Sequence, residues 1–181
     1  MFDLPLHPIV VHFPIVLGFI IPVASLLIWW GIKKNLLQQN FWAVIIAIVF
    51  VYGASALIAV EMGEKDEDKV EKVVAEKVIE EHEESGEMIP WVAGGLLLIS
   101  FSGYYLKDSH AARLGFVILS IIAIIPLANA GHTGGKLVYQ YGAAKAHMPS
   151  QNAGLEQITN YSEQHEGEDD DDEDDDDEDD D

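Results

Sequence analysis

The chain has 181 residues, 49% of them hydrophobic, and a formal net charge of −21. Those properties conflict in one soluble domain. They agree once the chain is divided, because positions 168–181 are all Asp or Glu and the remainder carries only −7. The absence of cysteine excludes disulfides, thiolate zinc sites, iron–sulfur clusters and covalently attached c-type haem.

In chain order, Met1-Phe2-Asp3-Leu4-Pro5 offers no Lys or Arg ahead of an apolar run too long for a signal-peptide core. That run is read as a retained span. A helix needs roughly 20 apolar residues to cross a bilayer, and four stretches qualify: 8–30, 41–60, 88–106 and 114–132. Trp29, Trp30, Tyr104 and Tyr105 fall where aromatic side chains meet headgroups. Pro14, Pro22 and Pro126 lie within spans as kinks or as breaks that line a cavity. Ser55, Ala59 and Gly63, like Gly131 and Gly135, recur every four positions, a pattern that lets helices approach closely.

The connectors after the first and third spans carry Lys33, Lys34, Lys107 and Arg113 against a single acid, Asp108. The positive-inside rule then puts both termini outside the cytoplasm of a bacterial inner membrane. Between the second and third spans, Ala75, Val78, Ile79 and His82 follow helical spacing among Glu and Lys. This predicts an amphipathic surface helix over about 64–84, its acids in the first turns and its His82 face turned to the membrane. The expected fold is an all-α four-helix transmembrane bundle, 1–147, followed by a disordered acidic C-terminal tail, 148–181.

An even number of crossings gathers His7, His12, Glu61, His82 and His132 at one leaflet, whereas His110 lies at the other. Ionisable groups at membrane depth mark functional sites by default. Two chemistries fit the set. Haem b could be held between His12 and His132, with His7 and His82 in support. A bare Cu, Zn or Fe ion could instead use His7, His12, Glu61, His82 and His132. Against both stands a packing role, each imidazole hydrogen-bonding a neighbouring helix in a non-catalytic scaffold. No nucleophile–base pair, phosphate-cradling loop or basic stripe is present, so no catalytic residue and no nucleic-acid partner are assigned. The expected partners are the lipid bilayer, a respiratory or redox protein, and a second copy of the chain.

Leu6-His7-Pro8-Ile9-Val10-Val11-His12-Phe13-Pro14 and Gly131-His132-Thr133-Gly134-Gly135-Lys136-Leu137-Val138-Tyr139 together resemble a bacterial membrane-protein family catalogued as domain of unknown function 2231. The likeness runs from about Leu4 to Gly142 and leaves the acidic tail outside. It implies four spans and motif histidines at His7, His12 and His132, with His82 a looser match. Relatives joined to cytochrome-like modules imply a redox setting, but the family brings no reaction to transfer.

Overall fold

The computed structural model describes residues 5–106 and 109–148, which are helical with short turns. The described residues up to His147 form one compact unit. The acidic tail lies outside the described residues, as do Lys107 and Asp108.

The first crossing is made of α1 (His7–Val10) and α2 (His12–Lys33). Pro14 has no N–H to give the Val10 carbonyl, and the helix breaks at Val11. A 3₁₀ turn, Gln39–Trp42, leads into α3 (Ala43–Val70), and α4 is Glu76–Tyr105. The last crossing is α5 (His110–Ile122) and α6 (Ile124–Tyr139), broken at Ala123 three residues before Pro126 for the same reason. Pro22 and Pro90 leave α2 and α4 continuous.

Four helical stretches are long and apolar enough to cross a membrane: His7–Lys33, Gln39–Val70, Glu76–Tyr105 and His110–Tyr139. Their packing is that of a lipid-facing bundle. Phe13, Phe50, Leu98 and Ile125 are more than 60% exposed, whereas Ser25, Ser100, Ser120, Thr133 and Arg113 are buried. In water so much exposed apolar surface would aggregate; in lipid it is solvated. Helix α3 packs on α2 and α4, and α5 and α6 close the ring against α2 and α4.

The amphipathic segment departs from expectation. It is not a separate surface helix over 64–84: residues to Val70 continue α3, residues from Glu76 open α4, and a turn at 71–75 joins them. Ala75 is extended (ψ 133°), which ends the helical path. Backbone hydrogen bonding propagates past the membrane margin in both spans, so the polar stretch becomes two helix extensions. The predicted stripe survives in part, since Ile79 is buried with Val74, Leu137 and Ala143 in a small core beside the 3₁₀ turn Ala143–His147. Glu64 and Glu67 consequently sit near the C-terminal end of α3, where the helix dipole repels anions.

At the opposite end, Trp42 is fully buried, donates Nε1–H to the Ser100 carbonyl (2.9 Å) and meets Phe116 edge to face. Arg113, expected only as a connector cation, is fully buried as well. Its Nε donates to the Gly103 carbonyl at 2.9 Å, and its guanidinium lies 5.8 Å from the Trp42 ring centre. Gly103 admits Trp42: a Cβ there would stand 2.5 Å from the indole Nε1. Gly103→Ala should therefore lower the thermal midpoint in detergent by the equivalent of about 1–3 kcal/mol. Gly94→Ala, with nothing within 4 Å of its Cβ, should be neutral or slightly stabilising.

Candidate functional site

The membrane margin at the acidic end holds the candidate site. His7 starts α1 at the mouth of the first crossing, and Pro8 fits the first turn of that short helix. The His7 Nδ1 lies 2.8 Å from the Ala59 carbonyl of α3. A carbonyl only accepts, so Nδ1 carries the proton. Gly63, one turn beyond Ala59, makes the seat; a Cβ there would lie 3.2 Å from His7 Nδ1.

His82 comes from the α4 extension, and its Nδ1 lies 3.0 Å from Thr133 Oγ1 on α6. The Thr133 hydroxyl gives its one proton to the Ala130 carbonyl (3.1 Å), so His82 is the donor. Its ring fills the notch at Gly134, where a Cβ would stand 3.0 Å from His82 Cε1. The two half-buried imidazoles meet edge to face, 5.9 Å between centroids. One turn further along α4, Asn129 donates to Ser85 Oγ (2.9 Å), whose hydroxyl donates to the Glu81 carbonyl. Polar side chains thus tie α1, α3, α4 and α6 together at one depth.

Both rings hold their proton on Nδ1, which leaves Nε2 with the lone pair. That is the state in which a histidine ligates a metal, oriented by an outer hydrogen bond from the other nitrogen. His82 lies six residues before the apolar stretch that opens at Met88. Burial first, and then the adjacent His7, hold its imidazole below the ordinary value, against an opposing effect of the Ala130 carbonyl.

The other expected site residues lie elsewhere. His12 and His132 are both exposed, and no ring contact joins them among the described residues. The space left by Gly134, two residues beyond His132, is taken by the His82 ring. Glu61 is more than half exposed and bonded to Lys65 at 2.7 Å, one turn along α3, so it faces away from the imidazoles. Among the described residues, no group of three or more His, Asp or Glu is gathered to hold a metal ion. Thr133 carried a signal only as part of the Gly131–Tyr139 motif, and Gly63 only as part of a small-residue repeat.

With this geometry in view, the profile of a family described as "Predicted membrane protein (DUF2231)" matches residues 3–147. The chain belongs to the DUF2231 family. No curated protein matches it, and no solved structure does. The family region spans all four crossings and both imidazoles of the pair.

Glu83, beside His82 in the same extension, has its carboxyl raised above the ordinary value by burial first, then by Glu67, with Glu87 and Glu64 adding to it. A carboxyl that holds its proton more tightly when folded contributes stability at low pH, lost as pH rises through its folded value. The stability difference between Glu83→Gln and the native chain should accordingly grow in favour of the variant from acid to neutral pH. Thermal unfolding across that range checks it, and parallel pH profiles would remove Glu83 from the account.

Proposed function

We propose that this DUF2231 member is a non-catalytic, multi-pass membrane protein whose ligand site is the His7–His82 pair, handling a transition-metal ion at the membrane margin. The carrying observation is that two imidazoles from distant parts of the chain meet with both Nδ1 protons already committed to other helices. Such outer hydrogen bonds fix ring orientation and raise ligand basicity. Neutral imidazoles suit Cu, Zn and Fe, and two protein donors would leave further coordination positions open. Lys33 and Lys34 at the far end support a cytoplasmic location for that connector, both termini outside, and a bacterial inner membrane as the setting. A redox partner fits an open two-histidine site there. Haem is not carried into the proposal, because the imidazoles that meet are those of His7 and His82, whereas His12 and His132 are both exposed.

A second reading has its own observation: both rings fill notches that glycines create, as a packing staple in a membrane scaffold would. Metal titration of the detergent-purified chain separates the two. One Cu(II) or Zn(II) per chain is expected, weakened more than about ten-fold in His7→Ala or His82→Ala and unchanged in His12→Ala or Glu61→Gln. Thr133→Val, which removes the outer hydrogen bond from His82 together with the Thr133–Ala130 bond, should weaken binding by about ten-fold. Folded variants that bind metal as the native chain does would leave the staple. A visible haem spectrum lost in His12→Ala or His132→Ala would restore haem in place of the metal.

A further inference from the structure

The basic end of the bundle carries a cavity that the histidine site does not use. It measures about 420 Å³ and is lined by Ile32, Asn35, Leu37, Gln38, Gln39 and His110, among others. One wall is a rigid turn. Asn35 adopts a left-handed conformation (φ 59°), and the N–H groups of Leu36 and Leu37 both return to the Gly31 carbonyl. Leu37 rests on Gly31 so closely that a Cβ there would stand 2.7 Å from its Cδ1. The other wall is the start of α5, tied to α2 where Trp29 Nε1–H donates to the His110 carbonyl at 3.1 Å. Lys33 lies over the same Trp29 ring, its Nζ 4.9 Å from the centroid, so a cation stands next to the His110 wall.

Carboxylates are confined to one stretch. Every described Asp or Glu falls within 61–87, mixed there with Lys65, Lys69, Lys72 and Lys77, whereas the connector beside the cavity carries Lys33 and Lys34 with no described acid. The cavity therefore combines side-chain amides and an imidazole with apolar leucine and isoleucine walls, and Lys33 stands over Trp29 beside the His110 wall. That mixture suits a group with an anionic, hydrogen-bond-accepting head and an apolar continuation. Water-soluble anions would leave the leucines unpaired, and a neutral choline head would gain nothing from the lysines.

We propose that this cavity binds the phosphodiester of an anionic phospholipid from the leaflet on the basic side, with Lys33, Lys34 and His110 at the phosphate and the leucine wall along the glycerol and first acyl carbons. The site is independent of the histidine pair and stands or falls without it. Juxtamembrane lysines attract anionic lipid by roughly 1 kcal/mol each. Native mass spectrometry of the full chain, delipidated in mild detergent and titrated with phosphatidylglycerol, phosphatidylcholine or inorganic phosphate, tests it. One retained phosphatidylglycerol per chain is expected, with phosphatidylcholine far weaker. The variant Lys33→Gln/Lys34→Gln should weaken retention by about twenty- to thirty-fold, matching two such contributions. His110→Ala and Gln38→Ala should weaken it less, and Lys65→Gln, at the far end, not at all. Equal retention of the two lipids, or native retention in the lysine variant, overturns the proposal. Binding of inorganic phosphate that displaces phosphatidylglycerol overturns the lipid as source, even with the phosphate chemistry kept.

Discussion

Lipid offers no hydrogen bonds, and that constraint orders this molecule from one end to the other. Each polar group drawn into the bundle has to find its partner on the chain. Ser25, Ser100 and Ser120 turn back on carbonyls of their own helices. Trp42 and Arg113 reach across to carbonyls of α4. His7 and His82 also reach across at the opposite margin, to the Ala59 carbonyl and to the Thr133 hydroxyl. The half-buried imidazoles obey the rule that governs the buried serines, but a ring has two nitrogens, and satisfying one leaves the other available.

Glycine is what lets these polar contacts form at close range. Gly63, Gly103 and Gly134 each face a ring: His7, Trp42 and His82 respectively. In every case a Cβ would come within about 3 Å of ring atoms, so the absent side chain is the reason the ring fits. The two ends then diverge in charge. At one, burial first and then the neighbouring carboxylates let Glu83 keep its proton more readily than a free acid, and at the other Lys33 and Lys34 follow α2 next to a polar cavity.

The four crossings were legible in the sequence because uninterrupted apolar length is a strong signal in a chain that must span a membrane. The breaks were partly legible, since a proline removes a donor whatever surrounds it, yet Pro14 and Pro126 break their crossings while Pro22 does not. Periodicity found the Val78–Ile79–His82 stripe but not its target. The stripe faces the end of α6, not the bilayer, because the helix carrying it is an extension of a span. The gathering of His7 and His82 at one depth followed from counting crossings. Which imidazoles meet did not, since it depends on helix rotation: His12, one residue beyond the break at Val11, turns outward where His7 turns in. Arg113 misled for a similar reason, because a connector cation and a buried one read alike until the packing around Trp42 is seen.

The account rests on two imidazoles touching across α1 and α4 with their protons on Nδ1. Histidine-labelled protein in bilayers, measured by solid-state nitrogen-15 NMR with His7→Asn and His82→Asn for assignment, addresses this directly. The account predicts Nδ1–H tautomers for both rings at neutral pH and a through-space correlation between them. Rings that show the Nε2–H form, or no correlation between residues 7 and 82 in a folded bundle, would contradict it.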